Sequence, residues 1–105
     1  MSASILVFAA AALLAAQETV NLNWSGLLLD ESCRAANSSA QCAVSGETKA
    51  FGIQTEDGKY FKLDIGGNNK ARAALDASRK TGEVRASVSG LLDGETIKVA
   101  TVEVR

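Results

Sequence analysis

The residues that carry most protein chemistry are either missing from this chain or placed where turns need them. There is no histidine, which removes the commonest general base together with the commonest metal ligand. Ser-His-Asp and Cys-His nucleophile systems and histidine-based zinc sites are thereby excluded. Cys33 and Cys42 have eight residues between them, not the two of a redox pair whose geometry lowers a thiol pKa. In an exported chain such a pair is expected to form a structural disulfide, with free thiols or an intermolecular bridge as the alternatives.

Adjacent carboxylates occur at Asp30-Glu31 and Glu56-Asp57. Neighbours in sequence do not place two carboxyl groups across a scissile bond, and a turn accounts for Asp57 as a solvated loop edge does for Glu31. Asp64-Ile65-Gly66-Gly67-Asn68 has a faint calcium-loop character, but it lacks the further acidic ligands and the terminal Glu of such loops. Gly66-Gly67 ahead of a helix could meet an anion, yet no Lys-Ser/Thr follows as in a phosphate-binding loop. No catalytic, cofactor-binding or metal-ligating residue is expected, no cofactor, and no enzymatic activity.

One strip of surface remains. Trp24, Phe51 and Phe61 share the phase of apolar neighbours and are expected in the core. Tyr60 faces the other way beside Gln54 and Lys62, so Gln54, Tyr60 and Lys62 form the possible ligand face.

The elements that must hold these residues begin after a different kind of segment. Residues 1–16 have no charged side chain, and Ile5–Ala16 is an unbroken apolar run of 12 residues. That length fits a secretion signal and is too short to cross a bilayer. Leu14-Ala15-Ala16 offers a small residue next to the cut and a tolerable one two before it, which would start the mature chain at Gln17. The stretch before the run has no Lys or Arg, and an uncleaved anchor or a buried helix are the other readings. Residues 17–105 are long enough for a single domain. A net charge of −1 with both signs interspersed argues against a nucleic-acid partner.

Within that domain, Thr19–Asp30 alternates and then changes phase at Gly26, the pattern of a strand kinked or bulged at the glycine. Glu31–Glu47 has no period and reads as a long loop. Lys49–Thr55 and Lys59–Ile65 form a hairpin. A three-residue loop Glu56-Asp57-Gly58 sets Ile53 against Phe61 and Phe51 against Leu63, whereas a two-residue turn would set both against polar residues. Asn69–Lys80 has helical spacing, with Asn68 or Asn69 as cap and Gly82 past its end. Glu83–Leu92 and Glu95–Val104 form a second hairpin about Asp93-Gly94, pairing Val88 with Val99 and Gly90 with Ile97, and a bulge near Ala100 repairs the apolar phase of the last strand. Five strands with a helix between the third and fourth is the order of a small OB-like barrel.

The stretch Trp24-Ser-Gly26-Leu-Leu-Leu-Asp30-Glu-Ser-Cys33, the second Cys42 and the run Thr55-Glu-Asp57-Gly58-Lys59-Tyr-Phe-Lys62-Leu63-Asp64 carry a family likeness. So do Gly67-Asn68 with Lys70-Ala71, and Val88-Ser-Gly90 followed by Gly94 and Ile97-Lys98-Val99. Together they resemble small exported, OB-fold-like bacterial proteins of unknown function, notably of acidobacteria. The likeness covers nearly the whole chain after the apolar run and implies the fold and export. Similar proteins often carry a histidine or further cysteines near the first loop, which this chain lacks. The expectation is a periplasmic or secreted, non-catalytic binding or structural module. Its partner would be an unidentified protein or glycan, its alternative role an OB-type binder of an oligosaccharide or other extended ligand, with no nucleic acid and no stable membrane span after signal removal.

Overall fold

A computed structural model describes residues 21–37 and 40–105. The expected signal segment 1–16, its cleavage point and the first residues of the first strand lie outside the described residues. The elements are β1 (Leu22–Asp30), α1 (Glu31–Ala36), β2 (Phe51–Thr55), β3 (Tyr60–Leu63), α2 (Ile65–Ser78), β4 (Val84–Asp93) and β5 (Thr96–Val104). The mainly β class, the five strands and the helix between the third and fourth are as expected. The strands close into a barrel in the order β1-β2-β3-β5-β4. Antiparallel ladders join β1 to β2 and β4, β2 to β3, and β4 to β5, while the parallel pairs Lys62↔Thr96 and Leu63↔Ile97 complete the ring.

The strand alternation sends Leu28, Phe51, Ile53, Leu63, Val84, Ala86, Val88 and Ile97 into the barrel, all buried. Each large side chain there contributes roughly 1.5–3 kcal/mol relative to exposure. Trp24 and Phe61 pack partly buried against this core, with ring centroids 5.9 Å apart. Helix α2 adds Ala71 and Leu75, four residues apart on one face. Among the described residues no helix is long and apolar enough to cross a membrane.

Strand β1 has no bulge at Gly26. Gly26, Leu27 and Leu28 pair with β2 and β4 at once, and neither ladder shifts register at Gly26. The inward phase therefore runs unbroken through Trp24, Gly26 and Leu28, with the glycine as an empty position. A Cβ there would lie 2.0 Å from the backbone oxygen of Gln54, so only glycine lets the two strands approach this closely. The apparent phase change has another cause: Leu27 and Leu29 are apolar residues on the outer face.

Three further expectations are corrected. The segment after β1 opens with helix α1, because Asp30 Oδ1 accepts from the Cys33 N–H at 3.0 Å and caps the turn. Helix α2 starts at Ile65, four residues early, because Asp64 is its cap: Asp64 Oδ1 accepts from Gly67 N–H at 2.8 Å and from Val99 N–H at 3.2 Å. Asn68, expected as a cap, instead accepts the Phe51 N–H at 2.9 Å.

The second hairpin turns about Gly94-Glu95 rather than Asp93-Gly94, with Asp93 opposite Thr96, Ile97 opposite Leu92 and Val88 opposite Val102. The bulge at Ala100 is present, between Gly90↔Val99 and Ser89↔Thr101. Gly94 has φ +63, the left-handed conformation a two-residue turn requires at its first position when that residue is glycine. The first hairpin has the expected register, Ile53↔Phe61 and Gln54↔Tyr60, with Gly58 at φ +87.

Candidate functional site

Because β1 pairs on both sides, its outward residues sit in transverse rows with those of its neighbours. One row reads Arg85, Leu27, Gln54, Tyr60 across β4, β1, β2 and β3. The next reads Ala43, Leu29, Gly52, Lys62, where Ala43 joins Leu29 through an isolated bridge from the segment after α1. The three residues expected to form a ligand face thus share one outer surface, and they fare differently on it.

Tyr60 is half-buried, and its hydroxyl donates to Glu31 Oε1. The Arg34 guanidinium lies over its ring, 4.4 Å from the centroid, a cation–π stack. The phenol folds back over Gly52, where a Cβ would come within 2.0 Å of Tyr60 Oη. Gln54 is half-buried, with its Oε1 accepting from Arg34 Nη1 at 3.1 Å. Lys62 is exposed opposite Gly52. Arg34 joins this group only because α1 forms, and the aperiodic sequence around it held no sign of that.

The concave part of the surface lies over β1 and β2. A cleft of about 420 Å³ is lined by Leu27, Leu29, Ala43, Arg34, Gln54 and Glu83, among others. A second, of about 310 Å³, adjoins it and is lined by Leu27, Gln54, Thr55, Glu56 and Arg85. Leu27 and Gln54 belong to both, so the two clefts adjoin on this face and together make up its groove. Tyr60 and Lys62 line neither. The missed signal was the pair Leu27 and Leu29, apolar residues that the β1 alternation turns outward.

The wall of the larger cleft is held by the Cys33–Cys42 disulfide, whose Cα atoms are 5.4 Å apart. Arg34 and Gln41, each next to one of the cysteines, face the cleft. The Asp30 N–H donates to the Cys42 carbonyl at 2.9 Å, and Thr48 Oγ1 donates to Asp30 Oδ2 at 2.8 Å. On the far side, Arg72 Nη1 donates to the carbonyls of Ser45 and Thr48 at 3.0 and 2.8 Å. Both carboxylates of the Asp30-Glu31 pair are therefore engaged in structure. Asp57 is too: the Thr55 hydroxyl, aided by Lys59, holds its exposed carboxyl below the usual carboxylate range.

Burial, with the Glu31 acceptor second, pushes the Tyr60 phenol well above its ordinary range. Tyr60 is the chain's one tyrosine, so phenolate absorbance at 295 nm reports on it alone. In the folded protein no phenolate should appear through about pH 11, whereas the unfolded chain should titrate near 10. The neutral phenol is the form the fold favours. Its contribution to stability is complete below about pH 10 and is lost as the pH rises beyond that. A folded-state midpoint near 10 would show that the phenol is not held against Glu31.

No protein-family model, no curated protein and no solved structure matches the chain.

Proposed function

We propose that this protein is an exported, non-catalytic binding module of OB type that receives an extended ligand along the outer face of β1 and β2. The observation that carries the reading is the pair of adjoining clefts that share Leu27 and Gln54. Its lining mixes apolar Leu27 with polar Arg34, Gln41, Gln54 and Glu83, so it offers an extended ligand both kinds of contact, and the larger cleft has the volume of ligand sites. The disulfide supports an oxidising compartment, periplasmic or extracellular. Each half of the groove holds one arginine and one glutamate, Arg34 with Glu83 and Arg85 with Glu56. That balance is unlike the basic stripe that follows a phosphate backbone.

An oligosaccharide is the second reading, supported by the polar rims of the groove. Its affinity would be weak, in the millimolar range, because the ring face Tyr60 could offer to a sugar is covered by Arg34. A glycan array and an oligonucleotide titration, run on wild type, Leu27→Ser and Tyr60→Ala, test both readings. Glycan binding should be weak and reduced by Leu27→Ser, with no nucleic-acid binding at physiological salt. Submicromolar binding to DNA or RNA would refute the module as described, and glycan binding indifferent to Leu27→Ser would place the ligand on another face.

A further inference from the structure

Where the two clefts meet, the hydrogen-bonding groups are sorted by kind. The acceptors are turned into the protein: Gln54 Oε1 takes Arg34 Nη1, and Glu31 takes the Tyr60 hydroxyl. What Arg34 and Gln54 have left to offer is a set of donors, in a groove whose lining also includes the carboxylates of Glu83 and Glu56. The Gln54 amide nitrogen has two N–H groups, and the guanidinium has four beyond the one bonded to Gln54. Among the described residues nothing accepts from them, and neither Arg34 nor Arg85 forms an ion pair, although Glu83 and Glu56 line the same groove.

The guanidinium is also held in place. Its contact with the Tyr60 ring and its bond to Gln54 restrain it from two sides. A planar fork oriented in this way suits a carboxylate, which takes two parallel N–H bonds. Beside it lie apolar lining residues, half-buried Leu27 and buried Leu29 from β1 with Ala40 and Ala43 from the disulfide-bridged segment. Donors at one end and aliphatic side chains along the floor describe the complement of an amphipathic acid.

Resting on the binding-module reading, we infer that the groove is a receptor for an apolar chain that ends in a carboxylate. Arg34 and Gln54 bind the carboxylate, and Leu27, Ala40 and Ala43 carry the chain over buried Leu29. The same chemistry is presented by a short acyl acid and by the free C-terminus of an apolar peptide.

The test is a nuclear magnetic resonance titration of the disulfide-intact protein with four probes: hexanoate, hexanamide, acetyl-trileucine and acetyl-trileucine amide. At least one acid should give saturable shifts at the Leu27 and Leu29 methyls and the Gln54 side-chain amide, and its neutral counterpart should bind at least ten-fold more weakly. The stronger of the two acids identifies the source. Arg34→Gln should weaken the acid ten-fold or more and bring it level with the amide. Arg34→Lys keeps the charge but not the fork and should recover only part of that loss, so charge alone is separated from geometry. Equal binding of acid and amide at these residues would overturn the carboxylate assignment and leave the binding module standing. Saturable acid binding that shifts other residues instead, or no saturable binding of any probe, would overturn the assignment as well, and the Leu27→Ser array experiment then decides the fate of the module reading by itself.

Discussion

Replacing Gly26 with alanine should lower the stability of the barrel by about 3 kcal/mol, the upper end of the usual cost of overpacking. The added Cβ would meet three backbone atoms of β2, at 2.0 Å from Gln54 O, 2.8 Å from Gln54 C and 3.0 Å from Thr55 Cα. Backbone cannot rotate out of the way as a side chain can. Nor can β1 retreat, since Gly26 is paired with Thr55 on one side and Ala86 on the other. The least costly relief is to give up part of the β1–β2 ladder, which also displaces Gln54 from the groove. In a domain of this size the loss corresponds to a fall in melting temperature on the order of 15 °C. Gly46→Ala is the matched control, because a Cβ there meets nothing within 4 Å, and it should be close to neutral. Thermal melts of the two variants side by side check the claim. A Gly26→Ala protein as stable as the control would mean that β1 is not clamped between its neighbours.

The second large effect is expected from Cys33→Ser combined with Cys42→Ser. The bridge closes a short loop, with a sequence separation of 9, and the chain-entropy account assigns such a closure roughly 2–3 kcal/mol. Local backbone conformation adds to this. Cys42 has φ +51, a left-handed conformation that costs a non-glycine residue on the order of 1 kcal/mol and is kept only where its surroundings enforce it. Without the sulfur bridge, the bond from the Asp30 N–H to the Cys42 carbonyl must hold that conformation. The double variant should melt on the order of 10–20 °C lower. It should retain the β-sheet circular dichroism, because both cysteines lie outside the five strands. An unchanged melting temperature would contradict the stabilising role. Two titratable thiols in wild-type protein from an oxidising compartment would contradict the bridge itself.

What could be read from the sequence was whatever depends on period and parity. Alternation placed Phe51, Ile53, Phe61 and Leu63 on one face, and the match of apolar partners selected the three-residue turn at Glu56-Asp57-Gly58. The second hairpin shows the limit of that reasoning. Sliding two strands by two residues leaves every side chain on its original face, so Ile97 meets the same face of β4 whether it pairs with Gly90, as expected, or with Leu92, as observed. Parity could not separate the two, and the conformation of Gly94 decided.

Helix α1 and the start of α2 were hidden for a different reason. Both depend on a single aspartate, Asp30 or Asp64, standing at the end of a strand, where the residue reads equally well as a solvated edge. The groove was hidden most deeply. Its floor, Leu27 and Leu29, breaks the in–out pattern in the same way as a bulge at Gly26 would. Its donor group needed Arg34, whose position is set by the Asp30 cap and the distant Tyr60 ring. The three residues read as a ligand face do lie on one surface, but the concave part of that surface is shifted one strand toward β1, and of the three only Gln54 lines it.

The central claim is that this outer groove over β1 and β2 is the working surface of the module. Backbone hydrogen exchange tests it directly, comparing the disulfide-intact protein alone and at a saturating concentration of the tightest-binding acid or glycan. Protection should rise in the segments 27–34 and 52–56, with the segment 96–104 of β5 unchanged. Protection confined to β5 or to α2, with the groove segments unaltered, would contradict the claim.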